Sequence, residues 1–137
     1  LELLNFYKIK TEDKNIVIAG RSRLVSAPLA KILSSKSYNG NVSVIHSKTT
    51  NQKLFTQQAD IFISAIGTAK IYDHSFFKEG STIIDIGISS VDGKTYGDID
   101  TDKIGELVSN RSPFPGGVGP ITVSALFFNL SRLVNSN

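Results

Sequence analysis

The segment NIVIAGRSRLVSAPLAKIL (residues 15–33) decides how the chain is expected to fold. It opens with a short, nearly continuous apolar run, Asn15–Ala19, passes through Gly20 and Ser22, and continues with apolar residues at helical spacing. An apolar run without alternation is typical of a strand buried on both faces of a parallel sheet. The segment therefore predicts a strand, a tight turn and then a helix over Ser26–Leu33.

The same strand-and-helix unit recurs along the chain. Three further apolar, β-branched runs, each followed by Gly, Ser or Thr, predict strands over residues 42–46, 61–65 and 82–86. Helical stretches separate them, over residues 51–59 and 72–77. Strands that alternate with helices predict an α/β, Rossmann-like doubly wound fold, with a mainly parallel sheet and helices on both faces.

The C-terminal third of the chain has a different pattern. Residues 91–94 indicate a tight turn, because Asp-Gly readily adopts positive φ, and residues 98–107 predict a loop with a short helix. Residues 113–120 contain too much Pro and Gly for a helix and predict a shaped loop. Residues 121–134 predict a long helix, and residues 1–7 predict the tail of another.

Composition narrows the class of protein. The 137 residues suit one domain, and no apolar run approaches the ~20 residues of a membrane helix. The absence of Cys excludes disulfides and thiolate metal sites, and no metal-ligand spacing such as His-Glu-x-x-His occurs. The net charge of +3 comes from scattered cations, which disfavours nucleic-acid binding. Because the chain begins at Leu1 and contains no Met, we expect a piece of a longer or processed protein.

Candidate binding residues follow the predicted strands. In open α/β sheets, ligands bind outside the carboxyl ends of the strands, where helix N-termini present free N–H groups to phosphate. Gly20, Arg21 and Ser22 follow the first strand, but the G-x-G-x-x-G fingerprint is absent, so an ordinary strand-to-helix turn remains an equal alternative. Gly67 and Gly87 follow the third and fourth strands, where glycine lets a flat ligand lie close to the backbone.

The end of the second strand indicates which nucleotide the site prefers. Folds that prefer NAD usually place an acid there to hold the ribose 2′-hydroxyl, whereas this chain has His46, Ser47, Lys48 and Thr49. A cation and hydroxyls favour a 2′-phosphate, and Arg21 can approach from the first loop. We therefore expect NADP rather than NAD, with solvated surface charges at Arg21 and Lys48 as the alternative.

The stretch PFPGGVGP (residues 113–120) is the most unusual in the chain. Its prolines stiffen the approach, and its three glycines allow φ values closed to other residues. A loop of this kind that leads into a helix predicts a rigid wall of backbone groups beside a ligand. A tight structural crossover is the alternative.

Together these motifs are similar to the C-terminal half of the methylenetetrahydrofolate dehydrogenase/cyclohydrolase family. The resemblance covers almost the whole chain and rests on motifs that occur in the family's order: GRS (20–22), HSKT (46–49), ADI (59–61), SAIG (64–67), IDIGI (84–88), GDI (97–99) and PGGVGPIT (115–122). The last of these is the most specific. The chain departs from the family pattern at Ser26 and Ser89, where the family usually has Gly and Asn.

The resemblance also implies a set of site residues. The implied contacts to NADP are Gly20, Arg21, Ser22, His46, Ser47, Lys48, Gly67 and Ile88, the last beside the nicotinamide. The implied wall on the folate side comprises Pro115, Gly116, Gly117, Val118 and Gly119. No catalytic residue is expected in this chain, because the family's general acid/base Lys follows Tyr-x-x-x in the N-terminal domain and that spacing does not occur here.

The implied parent enzyme oxidises methylenetetrahydrofolate to the methenyl form with NADP and hydrolyses that product to formyltetrahydrofolate, in one-carbon metabolism and purine biosynthesis. Residues 1–12 would be a remnant of the interdomain helix and residues 13–137 the NADP-binding domain, without the N-terminal catalytic domain and inactive alone. A cytoplasmic homodimer with a tetrahydrofolate substrate, and with neither nucleic acid nor membrane as partner, is also implied. Two alternatives stay open: a non-catalytic nucleotide-binding or dimerisation module, and the cofactor domain of another small-molecule dehydrogenase, such as the shikimate type.

Overall fold

Five parallel strands form the centre of the molecule. The computed structural model describes residues 1–135, so residues 136 and 137 of the predicted domain (13–137) lie outside the described residues. In chain order the elements are α1 (Glu2–Phe6), β1 (Asn15–Ala19), α2 (Ser26–Leu33), β2 (Asn41–Ile45), α3 (Gln52–Thr56), β3 (Ile61–Ser64), a 3₁₀ turn (His74–Phe76), β4 (Thr82–Asp85), β5 (Ser89–Val91), β6 (Lys94–Tyr96), α4 (Thr101–Ile104), β7 (Asn110–Arg111) and α5 (Val118–Val134). The sheet order is β2-β1-β3-β4-β7, all parallel, which confirms the predicted doubly wound fold.

The strand registers bring the carboxyl ends of four strands to one edge. Ala19 of β1 pairs with Ile45 of β2 and with Ser64 of β3, and Ser64 in turn pairs with Asp85 of β4. The loops that leave these residues therefore converge on the same side of the sheet. This is the arrangement on which the predicted binding site depended.

Both faces of the three central strands, β1, β3 and β4, are buried, which explains why their sequences do not alternate. Val17 and Phe62 belong to a core cluster on one face, whereas Ile16, Ile18 and Leu33 belong to a cluster on the other. Edge-to-face contacts of Phe62 with Tyr72 and Phe77 add aromatic packing to the first cluster. A strand with a covered residue at every position reads as a continuous apolar run.

The central elements agree closely with the sequence predictions, and the peripheral ones less so. β1 and α2 have the predicted bounds, and a hairpin turn at Asp92 and Gly93, both with positive φ, joins β5 to β6 as expected. The helix predicted over residues 51–59 is shorter, and the one over residues 72–77 is only a 3₁₀ turn. The predicted N-terminal helix is confirmed as α1, with Leu4 in the core, whereas residues 7–12 are not helical.

One prediction about the C-terminal region is wrong, and one strand there was not predicted. Residues 113–120 are not loop throughout, because α5 begins at Val118; Pro120 fits in the first turn, where a helix has no internal acceptor for its N–H group. The polar strand β7 was not predicted at all. Phe127 and Phe128 of α5 are exposed. No helix within residues 1–135 is long and apolar enough to cross a membrane.

Candidate functional site

A cleft of about 440 Å³ opens at the carboxyl edge of the sheet. It lies among the loops that follow β1, β2 and β3. It is closed by Gln52 of α3 and by the segment before the 3₁₀ turn. The lining residues are Gly20, Arg21, Ser22, His46, Ser47, Gln52, Ala65, Ile66, Thr68, Ile71 and Tyr72. Its size falls within the range of ligand pockets, roughly 300–1,000 Å³.

Gly20 shapes the floor of the cleft. Its φ of +119° is closed to other residue types, and a Cβ at this position would lie 2.6 Å from the carbonyl oxygen of Ala65. The missing side chain therefore lets the β1 and β3 loops approach each other. Ser26 fills the space beneath, where its hydroxyl is fully buried and makes no hydrogen bond within residues 1–135.

The loop between β1 and α2 presents free backbone amides. The Ser22 hydroxyl accepts hydrogen bonds from the N–H groups of Val25 (3.0 Å) and Ser26 (3.4 Å) and so holds the turn that precedes α2. In the described part of the chain, the N–H groups of residues 21–24 donate to no protein acceptor. Free amides in a loop that leads into a helix suit an anion such as a phosphate.

Hydrogen bonds hold the loop after β2 in a fixed shape. The N–H of His46 donates to the Thr49 hydroxyl (3.0 Å), and the N–H of Lys48 donates to Nδ1 of His46 (3.2 Å). The Gln52 amide donates to the His46 carbonyl (3.2 Å) and accepts from the Tyr72 hydroxyl (3.1 Å). This wall of the cleft is therefore tied to the aromatic core.

Tyr72 is a buried structural group of the cleft and remains protonated at neutral pH. Its side chain packs against Phe62, Phe76 and Phe77, and the residue is almost fully buried. Burial, together with the negative charge of Asp98, raises the pKa of Tyr72 to about 12. The phenol therefore stays protonated and holds Gln52 in place.

The loop after β3 has its amides occupied by the chain itself. The Asp98 carboxylate accepts from the N–H groups of Ile66 (2.8 Å), Gly67 (2.9 Å) and Thr68 (2.8 Å) and from the Ser64 hydroxyl (2.6 Å). Asp98 is fully buried. The amide of Gly67 is thus unavailable to a ligand, and only its other backbone atoms can face one.

The structure brings together five of the eight predicted cofactor residues: Gly20, Arg21, Ser22, His46 and Ser47. Lys48 is exposed next to the cleft, and Gly67 lies between two lining residues, Ile66 and Thr68, without lining it itself. Ile88 is 63% exposed and lies outside the cleft, with its carbonyl oxygen 3.5 Å from the position of a Cβ on Gly67.

The predicted substrate wall lies apart from this cleft. Gly116 and Gly117 line a second cavity of about 240 Å³, bounded by α1, β4 and β7. Val118 packs against the core cluster that contains Leu4, whereas Pro115 and Gly119 are exposed. The peptide bond before Pro115 is cis.

Sequence reasoning missed six lining residues: Gln52, Ala65, Ile66, Thr68, Ile71 and Tyr72. A signal existed for Ala65, Ile66 and Thr68, which directly follow the third predicted strand. Gln52 and Tyr72 reach the cleft only through the paths of α3 and the crossover after β3, which the sequence pattern does not reveal.

Comparison with known proteins gives a consistent result. The family model described as "Tetrahydrofolate dehydrogenase/cyclohydrolase, NAD(P)-binding domain" matches residues 1–137. The chain is 44% identical to the bifunctional protein FolD of Acholeplasma laidlawii over 131 residues, which is 96% of this chain and 47% of that protein. It is 42% identical to the FolD protein of Lactobacillus helveticus, covering 97% of this chain and 46% of the relative. The chain thus spans about half the length of the curated relatives it matches.

Solved structures agree with the sequence comparison. The bifunctional FolD methylenetetrahydrofolate dehydrogenase/cyclohydrolase of Campylobacter jejuni superposes with a TM-score of 0.89 at 39% identity, over 93% of this chain and 45% of that chain. The Trypanosoma brucei methylenetetrahydrofolate dehydrogenase-cyclohydrolase, solved with NADP and an inhibitor, gives a TM-score of 0.88 at 30% identity, over 98% and 48%.

Proposed function

This chain belongs to the family of NAD(P)-binding domains of tetrahydrofolate dehydrogenase/cyclohydrolase, and on that premise we propose that it binds NADP in the cleft at the carboxyl edge of its sheet. The observation that carries the proposal is the group of free N–H groups at residues 21–24, beside the floor left open by Gly20. The T. brucei relative binds NADP on a similar fold. When bound, NADP supplies the nicotinamide that accepts a hydride.

We assign the pyrophosphate to the loop that follows β1. Its amides are the free ones, whereas those of Gly67 and its two neighbours are taken by Asp98. Ser22 holds the loop through its hydrogen bonds to the N–H groups of Val25 and Ser26. His46 and Ser47 then face the adenosine side, and Gly67 and Ile88 lie toward the nicotinamide side.

The preference for NADP over NAD rests on charge. The loop after β2 has no carboxylate, and Arg21 and Lys48 are both exposed near its end of the cleft. Cations at this point favour a 2′-phosphate, and the lack of an acid removes the usual partner of a free 2′-hydroxyl.

Calorimetric titration of the chain with NADP and with NAD tests this assignment. We expect the unaltered chain to bind NADP with micromolar or tighter affinity. The double variant Arg21→Ala with Lys48→Ala should lose about tenfold or more in NADP affinity but little in NAD affinity. Lys31→Ala with Lys36→Ala removes the same charge from exposed positions on and just after α2 and serves as the control. Equal losses for the two nucleotides would remove the 2′-phosphate argument.

We further propose that the whole protein oxidises methylenetetrahydrofolate to the methenyl form with NADP and hydrolyses it to formyltetrahydrofolate. The names of the relatives support this role in folate one-carbon metabolism. In this proposal Pro115, Gly116, Gly117, Val118 and Gly119 contribute the wall on the folate side. We propose that purine biosynthesis uses the formyltetrahydrofolate and that the protein is located in the cytoplasm.

The 137 residues by themselves are proposed to bind cofactor without turnover. The family's Tyr-x-x-x-Lys spacing does not occur in them. An assay of the chain with methylenetetrahydrofolate and NADP, followed by NADPH absorbance, should give no rate above the blank. Clear turnover would show that the catalytic groups have been misplaced.

The division of the chain and its self-association are proposals as well. We propose that residues 1–12 belong to the connection between two domains, that residues 13–137 form the cofactor domain, and that the protein is a homodimer, as the resemblance implies. Sedimentation equilibrium measures the assembly directly. A monomer at all concentrations would contradict dimerisation through this domain.

A further inference from the structure

The loop after β3 forms an anion-binding nest that is already filled. Three successive N–H groups, of Ile66, Gly67 and Thr68, converge on one carboxylate, and the Ser64 hydroxyl completes the set. Concave groups of successive amides suit phosphates and other anions. In this chain the anion is the side chain of Asp98, which lies about thirty residues away in sequence and is fully buried.

We propose that Asp98 is a positioning residue for the cofactor cleft. Its carboxylate fixes the loop after β3 by occupying the three amides of that loop, and so leaves the loop after β1 as the phosphate site. The inference rests on the proposed NADP binding. Ile66 and Thr68, two of the residues whose amides Asp98 binds, are part of the wall of the cleft. Their position is therefore set by a side chain that does not itself line the cleft.

The bonds to Asp98 are strong enough to hold the loop. Hydrogen bonds to an ionised acceptor are shorter and roughly twice as strong as neutral ones, and all four here lie between 2.6 and 2.9 Å. A buried negative charge also disfavours a second anion nearby. The phosphates of a nucleotide are therefore directed away from this loop and toward the free amides of residues 21–24.

A second carboxylate holds Asp98 itself. Asp85, at the end of β4, accepts from the N–H groups of Gly87 (3.0 Å), Asp98 (3.2 Å) and Ile99 (3.0 Å). Burial is the largest influence on the Asp85 carboxyl and raises its pKa above the ordinary value, with the charge of Asp98 acting in the same direction. A Cβ on Gly87 would collide with the Asp98 carboxyl group, so the two segments fit closely.

The backbone N–H of Asp85 donates to the Ser112 hydroxyl (2.9 Å). Hydrogen bonds therefore run without interruption from the segment before Pro113 through the two carboxylates to the wall of the cleft. This path joins the ends of three strands, β3, β4 and β7.

The test compares Asp98→Asn with Asp100→Asn. Asp100 is also buried and lies two residues further on, but it pairs with Lys70 (3.4 Å) and Lys103 (3.0 Å) rather than with the β3 loop. The amide of Asp98→Asn can accept through one oxygen only, so one pair of donors in the nest faces an NH₂ group. We expect NADP affinity to fall at least about tenfold in Asp98→Asn and to stay within about twofold in Asp100→Asn.

Nuclear magnetic resonance supplies a readout that does not depend on the cofactor. The amide signals of Ile66, Gly67 and Thr68 should move in Asp98→Asn and remain in place in Asp100→Asn. If Asp98→Asn fails to fold, Ser64→Ala, which removes one donor and leaves the carboxylate with its three amides, should still weaken NADP about threefold.

The outcomes separate this inference from the proposed function. The inference is overturned if the unaltered chain binds NADP and Asp98→Asn binds it with the same affinity. The same holds for Ser64→Ala where that variant replaces Asp98→Asn. In either case the proposed function would still stand. Failure of the unaltered chain to bind NADP would reject the proposed function, and the inference with it.

Discussion

Replacing Gly20 by Ala tests the geometry of the cleft floor. The backbone at φ +119° lies in a region that is essentially restricted to glycine, and an alanine held there costs about 1–3 kcal/mol. The added Cβ would also lie 2.6 Å from the Ala65 carbonyl oxygen and 3.0 Å from the Ser26 hydroxyl, and overpacking of this kind typically costs about 1–3 kcal/mol. The expected loss in the free energy of unfolding is therefore about 2–6 kcal/mol.

Circular dichroism melts and NADP calorimetry measure the effect. A domain of this size loses about 4 °C in Tm per kcal/mol, so we expect a fall of about 8–24 °C. NADP affinity should fall as well, because Ala65 has to move. Gly93→Ala is the matched control: its φ is +73°, nothing lies within 4 Å of its Cβ position, and it is remote from the cleft in the β5–β6 turn.

Gly93→Ala should therefore lose only about 1 kcal/mol from backbone strain and bind NADP normally. A Gly20→Ala protein no less stable than Gly93→Ala, with unchanged NADP affinity, would refute the claim that a close approach of two loops forms the floor.

Three further predictions concern Asp60, Ser22 and Tyr72. Burial works to raise the pKa of Asp60, but hydrogen bonds from Lys78 and the N–H of Asn15 hold it below its ordinary value. The stability that Asp60→Asn loses at pH 7 should therefore shrink as the pH falls through the range where Asp60 takes up its proton. Denaturant melts at several pH values measure this, and a difference that stays constant with pH would contradict it. Ser22→Ala removes the two hydrogen bonds that hold the turn before α2 and should lose about 1 kcal/mol in urea unfolding; no loss would mean that these bonds do not stabilise the turn. In a spectrophotometric titration, Tyr72→Phe should remove the rise in tyrosinate absorbance that the pKa of about 12 places at high pH. A rise that persists in the variant would belong to another group.

The central fold is predictable from the sequence because its physical cause is local. β1 and α2 match their predicted bounds, since a strand covered on both faces must be apolar at every position and the helix follows at once. The two-residue strand β7 was missed because Asn110 and Arg111 lie at an exposed sheet edge and carry no apolar signal. The start of α5 was missed because Pro and Gly, which break a helix interior, are compatible with its first turn.

The candidate site also has a part that the sequence predicts and a part that it does not. Gly20 to Ser22 and His46 could be placed because strand ends in a parallel sheet meet at one edge, whatever the rest of the chain does. Asp98 could not, because its contact with the β3 loop spans 30–34 residues and depends on how the β5–β6 hairpin returns to the sheet. Its consequence, that the Gly67 amide is already occupied, cannot be read from the spacing of glycines.

The location of bound NADP is the central claim, and a titration of the isotope-labelled chain followed by amide chemical shifts tests it directly. The largest changes should fall on residues 20–24, on His46 and Ser47, and on Ile66 and Thr68, with little change at Asn15 and Asn41 on the opposite edge of the sheet. Changes concentrated at that opposite edge, or no saturable change at all, would contradict the account.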